Sequence, residues 1–281
     1  MRADLHSHSS ASDGTRPPAD VIGRAAAAGL DAIALTDHDT VAGIAEAADA
    51  LPPGLALIPG MELSCRHDGH SVHLLAYLFD PGHPGLAGQC EAIRISRAER
   101  GRAMVGKLGE LGVPVTWDQV TAIAGGGVIG RPHIARAMVQ AGVIQSAGEA
   151  FSPEWIGPGG RAHVGRYALD PAEAIGLVHA AGGVTVLAHP YAVTRGWSVP
   201  EALIGELARA GLDGVEVAHP DHDADQREQL AAVARELGLA VTGGSDDHGE
   251  LSADRIGTEW TAQADLDQLL GQATGTPVIT R

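Results

Sequence analysis

The stretch DAIALTDHDT, residues 31–40, decides how this chain is read. Its first half is a short apolar run, Ala32 to Leu35; its second half is polar, with His38 between Asp37 and Asp39. An apolar run of this length ended by polar residues fits a strand buried on both faces. The next stretch, VAGIAEAADAL (41–51), has the Ala-rich pattern of a helix. The same unit recurs along the chain. ADVIGRAAAAGL (19–30) is a helix after Pro17-Pro18, closed near Gly29. LALIPGMELS (55–64) and HSVHLLAYLF (70–79) are strands. Later, PAEAIGLVHAAGG (171–183) leads into VTVLAHP (184–190), VPEALIGELARAGL (199–212) into DGVEVAHP (213–220), and ADQREQLAAVARELG (224–238) into LAVTGGSDDHG (239–249). Repeated β-α units imply a parallel sheet, as a barrel or as a doubly wound layer.

The middle breaks this rhythm. CEAIRISRAERGRAMVGKLGELG (90–112) reads as one long helix, and WDQVTAIAGG, PHIARAMVQAG and AGEAFSPEWI as short ones. The chain is expected to divide into a first β/α part over 1–90, a helical insertion over 91–165, and a second β/α part over 166–281.

Composition bounds the function. With 44% hydrophobic but 3% aromatic residues, the core must be aliphatic. Net charge is −16, which argues against a duplex DNA partner, since that needs a broad basic surface. Lys107 is the only lysine, so lysine-based chemistry is nearly excluded; arginine suits bidentate phosphate recognition, though genome composition explains such a bias equally well. Cys65 and Cys90 form no C-x-x-C, so neither a zinc ribbon nor a disulfide framework is supported. No apolar run approaches the roughly 18 residues of a membrane span, and the opening residues lack a secretory pattern. The expectation is a cytoplasmic protein with no membrane partner and an oligomeric state the sequence leaves open.

The chemistry-bearing residues fall at strand ends. His6 and His8 follow the first short strand, His38 follows DAIALTD, Glu62 ends its strand, His73 lies in VHLLAY, His189 ends VTVLA, His219 ends GVEVA, and Asp246 and His248 follow LAVTGGS. In β/α barrels such ends share one face, where active sites assemble. In an extended segment His-x-His presents both rings on one side, and so does Asp-x-His. Imidazole with carboxylate and no thiolate suits Zn, Mn or Fe in a catalytic site. A carboxylate such as Glu62 can bridge two ions. Each motif alone is also an ordinary polar loop or helix cap; their joint occurrence favours a metal cluster. His67, His70, His83, His163 and His179 lack this placement and read as surface, loop or structural residues.

Taken in order, DLHSHSSASDG, ALTDHDT, PGMELS, VHLLAY, LAHP and GGSDDHG resemble the polymerase and histidinol phosphatase (PHP) family of metal-dependent phosphoesterases. Within it, GRPHIARAM (130–138) is similar to the helical insertion of the TrpH-like group acting on nucleotides. The resemblance implies a distorted seven-stranded β/α barrel with a helical insertion as substrate lid. It implies three divalent ions, Mn, Fe or Zn. One would be held by His6, His8, Glu62 and Asp246; a second by Asp13, His38 and His248; a third by Glu62, His73 and His189. Asp13 stands where other branches carry histidine.

The expected reaction is hydrolysis of a phosphate monoester of a small nucleotide, AMP or a 3′,5′-nucleoside bisphosphate, by attack of a metal-bound hydroxide. The other readings are a 5′-3′ exoribonuclease on short 5′-phosphorylated RNA, a histidinol-phosphate phosphatase, and a non-catalytic metal-binding module. Hydride transfer is excluded because no G-x-G-x-x-G follows the first strand. Arg131 and His133, at a helix N-terminus, would bind the substrate phosphate, and Arg131 would also stabilise the transition state. His222 is a candidate phosphate contact or general acid, and His219 a weaker phosphate contact. Asp37 and Asp39 would orient ligands around His38.

Overall fold

The computed structural model describes residues 1–192 and 197–281. Seven strands pair in sequence order: β1 (Ala3–Asp4), β2 (Ala32–Leu35), β3 (Ala56–His67), β4 (His70–Tyr77), β5 (Val184–Leu187), β6 (Gly214–Ala218) and β7 (Ala240–Gly243). The ends of the sheet meet. Leu5 N donates to Gly243 O at 3.2 Å, Asp246 N to His6 O at 2.9 Å, and His8 N to Asp247 O at 2.9 Å. The result is an α/β barrel of seven strands, as the resemblance implies.

The sheet is not wholly parallel. β4 runs antiparallel to both β3 and β5. The cause is the dipeptide Asp68-Gly69, with φ of 46° and 83°, which joins His67 to His70 as a two-residue hairpin. Asp-Gly favours such turns because both central residues need positive φ. The reversal matters for the site: β4 starts at the end of the barrel where β3 and β5 finish.

Side-chain alternation divides the barrel. Ile58, Leu75, Tyr77 and Val186 pack together in one core, and Met61, Leu63, Leu74, Ala76 and Leu187 join a second core with the helices outside. Period 2 then puts Glu62 on the face of Ile58, and His73 on the face of Leu75 and Tyr77. Tyr77 spends its hydroxyl on Leu5 O at 2.8 Å.

The helices are α1 (Pro18–Ala27), α2 (Ile44–Asp49), α3 (Pro84–Glu110), α4 (Trp117–Ala124), α5 (Arg131–Gln140), α6 (Pro171–Ala180), α7 (Glu201–Arg209), α8 (Ala224–Leu237) and α9 (Gln263–Leu270). α3 begins at Pro84, six residues before the expected start, because His83 caps it and Pro84 fits its first turn. Gly85 and Gly88 weaken the helical pattern there. AGEAFSPEWI is helical only as a 3-10 turn over Ala147–Phe151; Ser152 precedes Pro153 and is extended. α9 has no counterpart in the sequence reading.

α3 belongs to two cores. Leu86, Cys90 and Ile93 pack on the barrel, while Met104 and Leu108 pack with Val120, Ile134 and Met138. The loop before α5 touches the barrel mouth: Val128 N donates to Ala11 O at 3.0 Å, and a Cβ at Gly127 would lie 2.4 Å from Ser10 O. Only glycine fits so close to that backbone. Among the described residues no helix is long and apolar enough to cross a membrane.

Candidate metal centre

Glu62 stands at the middle of the barrel mouth, buried on β3. Its Oε2 lies 3.3 Å from His6 Nε2, 3.2 Å from His8 Nε2 and 3.2 Å from His38 Nδ1. Its Oε1 lies 2.6 Å from His73 Nδ1 and 3.0 Å from His189 Nε2. Asp246 Oδ1 lies 3.2 Å from both His6 Nε2 and His8 Nε2, and the two imidazole nitrogens are 3.2 Å apart. Asp13 faces His38 Nε2 at 3.7 Å and His248 Nε2 at 3.4 Å. The antiparallel start of β4 brings His73 here, although it is not at the end of its strand.

The donor set fits divalent metal. A tetrahedron with ligand bonds of about 2.0–2.1 Å has edges of about 3.3–3.4 Å. The His6 and His8 nitrogens lie 3.2 Å from each other and 3.2–3.3 Å from the Glu62 and Asp246 oxygens, and all four atoms lie within 4.8 Å of one another. Two further sets also bring their ligand atoms within 4.8 Å of one another: His8, Asp13, His38 and His248; and His38, Glu62 and His73. Three buried carboxylates share this small volume, and a buried charge needs a partner. Burial disfavours charge on His6 and His8. Nearby carboxylates nevertheless hold His6 well above the ordinary histidine range and His8 up to about 10. Asp13, Glu62 and Asp246 are held well below the carboxylate range, against their burial, by the imidazoles around them. The pocket thus calls for positive charge, which bound cations would supply with the imidazoles neutral.

A shell of acids fixes these groups. Glu216, inside the apolar run of β6, accepts from His6 Nδ1 at 3.0 Å and from His189 N at 2.7 Å. The first bond places the His6 proton on Nδ1 and frees Nε2 toward Glu62 and Asp246. Sequence reading passed over Glu216; an acid within a doubly buried strand was the available signal. Asp4 accepts from the amides of His6, Ser245 and Gly257. Asp37 and Asp39 do not bond the His38 ring. Asp37 ties down the His8–Asp13 loop through Ser9 N, Ser9 Oγ and Ser12 Oγ. Asp39 holds Ser64 N and Oγ and pairs with buried Arg97 of α3 at 2.7 Å. They clamp backbone rather than orient rings. Asp39, His189 and Asp246 take positive φ (54°, 31° and 48°), so the clamps hold conformations costly for non-glycine residues.

The remaining expected site residues divide. His219 Nε2 lies 3.4 Å from Asp246 Oδ2, and its Nδ1 accepts from Asp221 N, so it supports Asp246. His222 turns its ring to the backbone. Its Nδ1 donates to Val217 O at 3.0 Å, and its Nε2 accepts from Tyr191 N at 3.2 Å. Both ring atoms serve the backbone, leaving none for a leaving oxygen. His133 is buried, and its Nδ1 accepts from Gly130 N at 3.0 Å, capping α5. Arg131 opens α5, with its guanidinium 5.3 Å from the Phe151 ring centre.

An imidazole-carboxylate cluster at the mouth of an α/β barrel defines the class of metal-dependent hydrolases. Comparison with known proteins narrows it. The model of the PHP domain matches residues 4–93. A 5′-3′ exoribonuclease of Haemophilus influenzae is 39% identical over 87% of this chain and 89% of its own length. A 3′,5′-nucleoside bisphosphate phosphatase of Chromobacterium violaceum is 36% identical over 87% of this chain and 86% of its own. A structure from Bifidobacterium adolescentis, described as a metal-dependent phosphoesterase, superposes with TM-score 0.88 at 33% identity, covering 97% of this chain and 96% of that one. A metal-free, sulfate-bound amidohydrolase from C. violaceum gives 0.86 at 31% identity, covering 98% of each chain. This chain belongs to the PHP family of metal-dependent phosphoesterases. It is a hydrolase acting on phosphoric ester bonds.

Proposed function

We propose that the chain hydrolyses a phosphate ester of a small nucleotide, AMP or a 3′,5′-nucleoside bisphosphate. The observation that carries this reading is the two-sided use of Glu62. One oxygen faces His6, His8 and His38, and the other faces His73 and His189. A carboxylate used this way suits adjacent cations. His6, His8, Glu62 and Asp246 would hold one divalent ion, Asp13, His38 and His248 a second, and Glu62, His73 and His189 a third. Such ions supply Lewis acidity toward phosphoryl oxygens and make water acidic enough to serve as nucleophile near neutral pH.

The chain's own residues do the rest. Glu216 sets the His6 tautomer, and His219 steadies Asp246. Arg131, at the start of α5, offers a guanidinium to substrate phosphate.

A second reading is a 5′-3′ exoribonuclease on short 5′-phosphorylated RNA, which the relative from H. influenzae favours. The net charge of −16 weighs toward the smaller substrate. The test is a panel on metal-loaded protein with Mn²⁺, Fe²⁺ and Zn²⁺ supplied separately: AMP, adenosine 3′,5′-bisphosphate, histidinol phosphate and a 5′-phosphorylated short RNA. Phosphate release from a nucleotide is the expected result. Preference for histidinol phosphate, or silence on every compound, overturns the reading.

A further inference from the structure

The loop from Ser9 to Gly14 carries Asp13, and it is gripped from two sides. On the barrel side Asp37 accepts from Ser9 N, Ser9 Oγ and Ser12 Oγ, and Ser10 N donates to Arg16 O at 2.7 Å. On the other side stand α4 and α5, which pack Val120, Ile134 and Met138 against Met104 and Leu108 of α3. The loop joining these two helices reaches across to the barrel. Val128 N donates to Ala11 O at 3.0 Å. A Cβ at Gly127 would collide with Ser10 O and lie 3.1 Å from Ala11 O, and one at Gly130 would lie 3.5 Å from Asp13 Oδ2. Gly127 is not among the glycines of positive φ, so glycine is needed there for the close approach itself.

The grip is selective among the ligands. Asp13 lies two residues from Ala11. His38 is followed by Asp39, whose backbone O accepts from Arg94 Nη1 at 2.9 Å and whose carboxylate pairs with Arg97, both on α3. His248 O accepts from Thr15 N at 3.2 Å, just past the Ser9–Gly14 loop. These three residues are the set proposed for the second ion. The other ligands are fixed by the barrel. Glu216 holds His6 and the amide of His189, His8 N bonds Asp247 O, and Asp246 N bonds His6 O. Glu62 and His73 lie in the β3–β4 ladder, and Glu62 N also bonds Thr36 O at 2.9 Å. Arg97 reaches Ser64 on β3 as well, but that ladder keeps Glu62 in place without it.

We propose that the loop between α4 and α5, through Gly127 and Val128, positions Asp13 and so sets the affinity of the second ion, while the first and third ions depend on the barrel alone. Gly127 and Val128 are positioning residues, since they act through Asp13. The coupling is reciprocal: if the docked loop tightens the ion, the ion tightens the docking by the same factor. Any ligand that presses α4 and α5 onto the barrel then also loads the second ion. This rests on the three-ion reading above.

The test strips the chain with chelator and titrates it with Mn²⁺, reading free Mn²⁺ by electron paramagnetic resonance. Wild type should bind three ions. Gly127→Ala, which crowds Ser10, should bind two of them as wild type does and the other about 10–100-fold more weakly, the usual cost of losing a group that orients a ligand. Val128→Pro, which deletes the N–H to Ala11 without filling the gap at Gly127, should weaken the same ion. Asp13→Asn identifies that ion, and Gly127→Ala added to Asp13→Asn should cost little more, because both act at one site. Circular dichroism checks that each variant is folded. Hydrogen exchange needs no loop variant: Mn²⁺ should slow exchange of the Val128 amide in wild type and not in Asp13→Asn. Three ions bound with wild-type affinity in both loop variants, equal weakening of all three, full additivity with Asp13→Asn, or Val128 exchange indifferent to Mn²⁺ overturns the coupling and leaves the three-ion reading intact. Wild type that binds fewer than three ions overturns that reading and the coupling with it.

Discussion

His6 and Glu216, 210 residues apart in sequence, meet inside the barrel with Nδ1 and Oε1 separated by 3.0 Å. The bond fixes which nitrogen of His6 faces Glu62 and Asp246. Glu216→Gln keeps the size of the side chain but loses the charge and can present an NH₂ instead of an acceptor. Metal affinity is expected to fall about 10–100-fold, the usual effect of losing such a partner. Competition with a chelating dye measures it. Unchanged affinity would show that His6 is held without Glu216.

Arg97 and Asp39 form a buried ion pair at 2.7 Å between α3 and the loop after β2. Removing one member leaves a buried charge, at a cost of about 3–5 kcal/mol. Arg97→Met should lose stability on that scale in denaturant unfolding. The acid limb should move too. Burial raises the Asp39 carboxyl, but Arg97, Arg166 and His38 outweigh it and hold it below its ordinary value. Its stabilisation is therefore present above the unfolded carboxylate pKa of about 3.9 and is lost as pH falls through the lower folded value. Without Arg97 the folded pKa rises, so Arg97→Met should acid-unfold at higher pH than the wild type.

His222 has both ring nitrogens bonded to backbone groups, at Val217 and Tyr191. A general acid typically contributes about 10²–10⁴-fold. His222→Gln should therefore lower kcat by less than about 10²-fold, while reducing the thermal midpoint. A loss of kcat above that bound, with the basic limb of the pH profile removed, would restore His222 to the chemistry.

Metal removal should destabilise the fold, because the three carboxylates lose their counter-charge. A ligand held at 100 times its Kd stabilises by about 2.7 kcal/mol. For a domain of this size, chelation should lower the thermal midpoint by roughly 5–10 °C. Scanning calorimetry with and without chelator checks it. Identical midpoints would mean that the imidazole-carboxylate cluster needs no cation.

Much of the architecture was legible because both periodicities are plain. Ala32–Leu35 is an unbroken apolar strand, and the polar triplet after it carries His38. His6, His8, His38, His189 and His248 follow strands that run the same way, so their convergence follows from one rule about strand ends. His73 did not fit that rule, since it lies within its strand. The reason is the Asp68-Gly69 turn, which reverses β4 and was not used as a hairpin signal. Glu216 was hidden because strand alternation shows only which face a residue takes, and its partner is 210 residues away. The same limit hid Arg97 and its pairing with Asp39. His222 is the opposite case. It lies in a mouth loop, but its ring turns back to the backbone, and sequence carries no sign of that turn.

The most direct test of the metal centre is phosphate release from adenosine 3′,5′-bisphosphate by chelator-stripped protein on return of Mn²⁺, with wild type and Glu62→Gln side by side. The two faces of Glu62 predict that Mn²⁺ restores turnover to the wild type and leaves Glu62→Gln silent. Turnover that survives chelation, or a Glu62→Gln chain as active as the wild type, would contradict the account.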